Sequence, residues 1–432
     1  MSKALSLLKL GVKLTDWEID LTRLSTDEQF SLLESRSREI MDPGRLREQL
    51  LHSKQTGRPL RIKYGIDPTA QEIHLGHIVP IVVARRFLRM GHHVIIVIGD
   101  FTAFIGDPTG RLTARPILTT AEIASNVAHY KTQIGKFIDL SKIEVVFNSR
   151  FYEPGAMTVL DLFKVFRQNS VAPLLQREDF RQRKEAGLTI PEMLYTTLMA
   201  IDSIKLEAQV ELGGIDQLLN FQIAKTFMKR AGIEPETAVT TELLESTAGD
   251  GKKMSKSEGN YVSLTASAEE IYGKIMSIPD RLMEHYFKLL TDISDRDWEA
   301  LEIGMREGGL SPKEVKQLLA RVIVTWIHDI KAAQVAEEKF TRIFSRRELP
   351  EDLQEKTVAW RPGLTWTDII TDLGLAKSRS EFRRLTKAGS VKLMTPDEKT
   401  LLDAGQEVNL GEFVLKYGRG KFIRLIIKQK SP

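Results

Sequence analysis

Residues 93–99 read HVIIVIG, five Ile and Val residues in a row closed by a glycine. A run without alternation fits a strand buried on both faces of a parallel sheet, where neither face meets water. Upstream, residues 75–90 (LGHIVPIVVARRFLRM) carry helical periodicity and stop at Gly91, and residues 61–66 (RIKYGI) read as a strand. Downstream, a helical stretch spans roughly 120–140, and residues 143–149 (IEVVFNS) are again strand-like. Strand, helix, strand, helix, strand predicts an α/β domain with a doubly wound parallel sheet. Ligands of such sheets sit beyond the carboxyl ends of the strands. Residues 64–77 (YGIDPTAQEIHLGH) and 99–111 (GDFTAFIGDPTGR) both leave strands at that edge, so they are expected to face one crevice.

The remainder arranges itself around this Rossmann-like domain, expected over 58–264. Residues 1–57 read as a helical, highly charged segment. From 265 to 345 the pattern is helical: Ser311-Pro312-Lys313-Glu314 is a capping box with proline at the first helical position. The helix it starts carries Val315, Leu318, Leu319, Val322, Ile323 and Trp326, a stripe read as core. Residues 346–363, charged and with two prolines, read as a linker, and 364–432 as a small α+β module. The last of these holds 13 Lys/Arg against 8 Asp/Glu, although the whole chain carries only +4, so a polyanion is the expected partner of the tail.

At 432 residues the chain can bury two or three cores, and 42% hydrophobic with 28% charged residues describe an ordinary globular protein. The absence of cysteine excludes disulfides, thiolate-ligated metals and thiol nucleophiles. The N-terminal MSKALSLLKLGVKLTDWE has too short an apolar run for a signal peptide and no small-residue cleavage site. No apolar run reaches membrane-spanning length. The expectation is a cytoplasmic protein with neither membrane nor DNA as partner.

No G-x-x-x-x-G-K-[ST], G-x-G-x-x-G or H-E-x-x-H is present. His74 and His77 flank Gly76 and suit a metal pair, a phosphate clamp or two ordinary helix-start residues. No third ligand stands at a suggestive local spacing, so no metal site is predicted. A helix start already favours phosphate through its backbone N–H groups and dipole. Two imidazole donors would strengthen that site, with Gly76 leaving room for a nucleotide. Residues 251–260 read GKKMSKSEGN, centred on Lys253-Met254-Ser255-Lys256-Ser257. Alone it is a flexible basic loop. With HLGH about 180 residues upstream, it resembles the paired signatures of class I aminoacyl-tRNA synthetases. In that family the histidines and lysines hold ATP and stabilise the charge spread over the α-phosphate oxygens while a carboxylate displaces pyrophosphate.

Between the signatures the chain resembles bacterial-type tyrosyl-tRNA synthetases, through GIDPTAQEIHLGH, GDFTAFIGDPTGR, YTTLMAID (195–202) and VELGGIDQ (210–217). The resemblance covers nearly the whole chain. It implies that residues 265–345 form an anticodon-binding region and that the tail is an S4-like RNA-binding module, most tellingly at LAKSRSEFRRLTKAGSVKL. There Lys377, Arg379, Arg383, Arg384, Lys387 and Lys392 would contact tRNA phosphates, with affinity that falls with salt. By the same resemblance His74, His77, Lys253 and Lys256 serve catalysis and, with Gly76, Gly214 and Asp216, bind ATP. Arg111 and Arg115 would attend the pyrophosphate. Asp67, Asp107 and Tyr195 would meet the substrate ammonium, Asp202 the phenol and Gln217 the carboxyl side, with Lys63 and Met199 also in the pocket. Each has an ordinary reading taken singly; GDPTG, for instance, is a good turn. Substrates would be tyrosine, ATP with Mg²⁺, and tRNA, acted on by a homodimer.

Three positions depart from the family pattern. Met199 stands where the family has a Gln that helps hold the amino group, Ile215 replaces a small polar residue, and Lys63 replaces a tyrosine of one branch. Tyrosyl enzymes are themselves the known example of a site that rejects an acid lacking one hydroxyl, by about 10⁵-fold. Losing one neutral hydrogen bond costs only about 1 kcal/mol, which Asp67, Asp107 and Tyr195 could cover. The expectation is therefore tyrosine, with a paralogue taking a modified or different aromatic acid as the alternative, and a non-catalytic RNA-binding homologue as a third reading.

Overall fold

The computed structural model describes residues 3–16, 19–109, 118–167, 170, 175, 180–181, 187–256, 259–345, 353–376, 378–387, 391–394, 399–401, 404–417 and 421–429. The chain divides into two compact units, Met1–Glu337 and Glu338–Pro432.

Among the described residues the first unit is built on six strands: β1 (Glu39–Ile40), β2 (Arg61–Ile66), β3 (His93–Ile98), β4 (Glu144–Phe147), β5 (Val210–Gly214) and β6 (Thr237–Thr241). They lie in the order β1-β6-β5-β2-β3-β4. β2, β3, β4, β5 and β6 pair in parallel, with Tyr64 opposite Ile96 on one side and Leu212 on the other. The HVIIVIG run is central, and its residues from Val94 to Ile98 are fully buried. The chain winds outward through β3 and β4, then crosses back to β5 and β6. The direction of winding therefore reverses between β2 and β5, which is where such a sheet opens a crevice at its carboxyl edge. The sheet is mixed, where the sequence predicts a purely parallel one. β1 pairs antiparallel to β6, Glu39 opposite Thr240. Two residues carry no periodicity to read.

Helix Leu75–Arg89 rises from the end of β2 and stops at Gly91, whose φ of 87° only glycine adopts freely. The run that follows, residues 120–134, is the helix Thr120–Ile134, opened by a Thr119–Glu122 capping box. Helix Pro312–Ile327 starts at the expected Ser311–Glu314 box, and its stripe from Val315 to Trp326 is buried. Three arginines of helix Leu75–Arg89 converge on one carboxylate: Arg85, Arg86 and Arg89 reach Asp292 at 2.9, 2.9 and 2.7 Å. That clamp fixes the helix to the chain beyond helix Met283–Leu290.

The second unit has its own sheet, β7 (Gln354–Trp360), β8 (Val391–Met394), β9 (Lys399–Leu401), β10 (Gly411–Tyr417) and β11 (Lys421–Gln429), ordered β7-β11-β10-β8-β9. Helices Trp366–Asp372 and Arg379–Lys387 cover it. Trp366, Ile369, Phe382, Leu415 and Leu425 are among its core residues. The stretch expected as a linker contributes β7, which pairs in parallel with β11 from Gln354–Ile423 to Trp360–Gln429. Its polar QEKT half hides the strand from a hydrophobicity reading, and an edge strand tolerates such residues. Among the described residues no helix is long and apolar enough to cross a membrane.

Candidate active site

A cavity of about 740 Å³ opens between the carboxyl ends of β2 and β5. Its lining brings together Lys63, Asp67, His74, Gly76, His77 and Asp107 from the first half of the domain. Tyr195, Met199, Asp202, Gly214, Asp216, Gln217 and Lys253 join them from the second. Residues as far apart in sequence as 63 and 253 meet because both strands at the switch point end here.

At one wall the HLGH segment is a capping box made of histidines. His74 Nδ1 accepts from the Gly76 amide at 3.1 Å, and His77 Nδ1 accepts from the His74 amide at 3.2 Å. An Nδ1 that accepts carries no proton, so His74 keeps its proton on Nε2 and offers that N–H as a donor. His77 does the same where its Nδ1, which also lies 3.4 Å from the His74 carbonyl, accepts from the amide. Burial, then the charges of His77, Lys256 and Lys253, push His74 down to about 2, so it is a neutral donor at physiological pH. Gly76 is needed for a reason other than room for a nucleotide: a Cβ there would sit 2.9 Å from His74 Cε1. The glycine makes space for the ring that caps the helix.

The KMSKS segment lies across the same edge. Met254 is buried, and its amide donates to Leu244 O at 2.7 Å, pinning the loop. Lys253 Nζ pairs with Asp216 at 3.1 Å. Lys256 does not line the cavity; its ammonium donates to the Glu72 carbonyl. The Glu72 carboxylate takes Ser263 and Thr265 hydroxyls at 3.1 and 2.8 Å, joining the chain before HLGH to the chain after KMSKS. Ser257, Arg111 and Arg115 lie outside the described residues.

The opposite end of the cavity is a continuous polar chain. Tyr195 OH donates to Asp67 Oδ2 at 2.9 Å, and Thr102 Oγ1 donates to Asp67 Oδ1 at 2.8 Å. Asn148 Nδ2 reaches both Thr102 Oγ1 and Asp202 Oδ2, at 3.1 and 3.2 Å. Gly99 is essential to this packing, because a Cβ there would fall 2.1 Å from Asp67 Oδ1. A second chain holds Gln217, whose Nε2 donates to Asp107 at 2.7 Å while Asn220 donates to its Oε1 at 2.8 Å. Asn220 in turn accepts from Thr196 at 2.8 Å.

Beneath them, Lys63 is fully buried and pairs with Glu211 at 2.7 Å while donating to Ser203 Oγ at 2.7 Å. Burial alone would lower its pKa, but Glu211, Glu236 and Asp202 hold it above the ordinary lysine value. Burial pushes Asp202 up to about 7; Lys63 and the Asn148 amide oppose that, and Glu211 and Asp67 add to it. Met199 lines the cavity while packing against Ala200, Ala224 and Phe227, and Ile215 does not line it. Asn148, Thr102, Glu211 and Asn220 are bonded to these site residues, and the motifs do not single them out. Three of the four carry a faint signal: Asn148 directly follows β4, Glu211 is a lone charge inside β5, and Asn220 follows Gln217 by three residues.

On the second unit, Arg379, Arg383, Arg384 and Lys387 share one helix, where Arg379 pairs with Asp368 at 2.9 Å, and Lys392 lies on β8. Lys377 lies outside the described residues.

The profile of the family described as tRNA synthetases class I (W and Y) matches residues 54–345. A tyrosine–tRNA ligase of Geobacter metallireducens is 40% identical over 408 residues, 94% of this chain and 100% of the relative. One from Desulfotalea psychrophila is 38% identical over 405 residues, 93% of this chain and 98% of the relative. The structure of a tyrosyl-tRNA synthetase complexed with L-tyrosine from Archaeoglobus fulgidus superposes with a TM-score of 0.59 at 23% identity, over 72% of this chain and 100% of that one, a likeness of fold. The chain belongs to the class I tRNA synthetases of the W and Y type, and within them to the tyrosine–tRNA ligases.

Proposed function

We propose that the cavity at the β2/β5 switch point activates tyrosine with ATP, giving tyrosyl-adenylate and pyrophosphate, and that the tyrosyl group then passes to tRNA. The observation that carries this reading is that one cavity brings together two imidazoles at a helix N-terminus and the carboxyls of Asp67 and Asp202. His74 and His77 would present their Nε2–H groups, beside the helix N-terminus, to the nucleotide's phosphates. Lys253, held by Asp216, would supply charge there, and Lys256 would swing from Glu72 to join it as charge spreads over the phosphate oxygens. Gly214 and Asp216 would flank the ribose, Arg111 and Arg115 would attend the pyrophosphate, and Mg²⁺ would arrive on the nucleotide's phosphates.

Asp67, with Tyr195 beside it, would receive the ammonium of the amino acid, and Asp107 and Gln217 would orient its polar end. Asp202, deepest in the pocket, would accept from the ring hydroxyl. In the second unit the basic face of helix Arg379–Lys387, with Lys377 and Lys392, would hold tRNA phosphates as an S4-like module, while residues 265–345 would meet the anticodon arm. Helix Val159–Arg167 exposes Val159, Leu160 and Phe163, an apolar face suited to a second copy of the chain in a homodimer. The cytoplasm is the compartment expected for this work.

A second reading keeps the chemistry and changes the acid. Met199 supports it, since a thioether on the cavity wall offers no strong donor or acceptor. Amino-acid-dependent ATP–pyrophosphate exchange across a panel of amino acids separates the readings. Exchange with tyrosine is the expected result; a preference for another aromatic acid supports the second reading, and silence with every acid leaves an RNA-binding homologue. Lys256→Ala should remove most exchange while tRNA binding persists, and unimpaired exchange in that variant would sink the role given to the loop.

A further inference from the structure

The floor of the amino-acid pocket holds more buried carboxyl groups than one lysine can neutralise. Lys63 on β2 faces Glu211 on β5, Glu236 just before β6, and Asp202 on helix Ile190–Leu206; all four side chains are buried. Ser203 ties the group together, accepting from Lys63 and lying 3.3 Å from Glu211 Oε2 and 3.2 Å from Glu236 Oε1. Lys63 is placed as a wall of the cavity, yet its ammonium is spent on Glu211 and Ser203 rather than turned to the opening. Asp202 is the group left over. Its Oδ2 accepts from Asn148, while its Oδ1 is buried and meets no hydrogen-bond donor among the described residues.

We propose that Lys63 sets the specificity of this pocket at one remove, as a positioning residue whose charge keeps the Asp202 carboxyl ionised and so able to accept from a para-hydroxyl on the substrate ring. The proposal rests on the tyrosine reading above and assigns the lysine a role other than direct contact.

The charges decide it. Burial, then the neighbouring Glu211 charge, hold Glu236 well above the ordinary carboxyl value and so favour its neutral form. What remains is the Lys63–Glu211 pair and Asp202. The groups facing Asp202 are Lys63 from β2, Asp67 from the loop after it, Glu211 from β5 and Tyr152 from the turn after β4, while Glu236 before β6 acts on Lys63. Among these Lys63 is the single cation. Without it, burial together with Glu211 and Asp67 would keep the proton on Asp202 well above neutrality. A protonated Asp202 has lost the charge that makes its bond to a phenol strong. Phenylalanine has no hydroxyl to offer, so its use does not depend on that charge.

The test is pyrophosphate exchange by the full-length protein with tyrosine and with phenylalanine, each as a function of pH, because kcat/KM reports groups of the free enzyme. In the native protein, tyrosine kcat/KM should fall as pH drops below about 7, where Asp202 takes its proton. Lys63→Met should move that fall to higher pH, and tyrosine kcat/KM at neutral pH should drop by about tenfold for every pH unit the fall moves. Phenylalanine kcat/KM should stay nearly unchanged, so the ratio between the two acids collapses. Lys63→Met strands Glu211 in the interior; Lys63→Met with Glu211→Gln removes both charges together and should move the profile the same way in a folded protein. If both acids lose efficiency together and the pH profile stays in place in that double variant, Lys63 is only structural and the proposal is wrong. A native protein that ignores tyrosine while activating another acid overturns the reading beneath the proposal, and the proposal with it.

Discussion

The first unit contains two buried charge clusters of opposite balance. Around Asp292, three arginines surround one carboxylate; around Lys63, three carboxyls surround one ammonium. Guanidinium groups do not yield their protons at ordinary pH. Burial, against the pull of Asp292, brings Arg86 down only to about 10. Burial acts against the charge of Asp292 as well, but the three arginines hold its carboxyl far below the usual range. The arginine cluster is therefore fixed in one charge state and serves as a clamp. The carboxyl cluster can take up or release a proton near neutrality, as Asp202 at about 7 shows. Excess charge of the kind that titrates lies at the ligand cavity, and excess of the kind that does not lies behind it.

Breaking the clamp should have the largest effect. Asp292→Ala leaves three buried guanidiniums without their shared anion, a change of the kind that costs about 3–5 kcal/mol. Urea unfolding should show a loss of that order, while the folded fraction keeps its tyrosine KM. A loss well under about 1 kcal/mol would mean the arginines find other partners and the clamp is dispensable.

The two clusters should also respond to pH with opposite sign. Asp292 has a folded pKa below its ordinary 3.8, so the stability it contributes is present above that value and is lost as pH falls through the folded pKa. Asp202 has a folded pKa raised to about 7, so its contribution is full below 3.8 and is lost as pH rises towards 7. Within that window the slope approaches roughly 1.4 kcal/mol per pH unit for one proton. Asp202→Asn should remove the share of this slope that one proton contributes and leave the share of Glu236, which burial and the Glu211 charge also raise; a slope unchanged by the substitution would mean that Asp202 does not titrate there. Gly99→Ala should come next in size: its methyl would strike the Asp67 carboxylate, at about 1–3 kcal/mol for an overpacked site. It should also raise the KM for the amino acid, because Asp67 cannot stay in place.

What can be read from the sequence follows the same division. HVIIVIG announces a strand buried on both faces, and HLGH with KMSKS announces the cavity, because each is a local pattern with a local physical cause. The Ser311 box and its stripe are legible for that reason too. β1 and β7 are not, since a two-residue strand and a polar edge strand have no periodicity, and only their neighbours make them strands. The buried charges are the hardest to foresee. The family pattern points Lys63 at the substrate, but its partner Glu211 lies in a strand about 150 residues away, and nothing near either residue records the pairing. Gly76 is necessary, as HLGH suggests, but room for a nucleotide is an incomplete reason, because the space it preserves is filled by its own neighbour's ring.

The smallest effect is expected from Ser203→Ala, and it separates charge from hydrogen bonding within the pocket floor. The hydroxyl accepts from Lys63 at 2.7 Å and lies within reach of Glu211 and Glu236. Its removal takes away one or two hydrogen bonds in a buried place, about 1–2 kcal/mol by urea unfolding. It removes no charge. Lys63 keeps Glu211, and Glu236, whose neutral form burial already favours, loses a donor that favoured its ionised form, so it moves no closer to carrying a charge. The field at Asp202 is therefore unchanged, and the pH profile for tyrosine should stay where the native protein has it. Should Ser203→Ala move that profile as far as Lys63→Met does, the geometry imposed by the hydroxyl, rather than the ammonium charge, would be what holds Asp202 ready for its ligand.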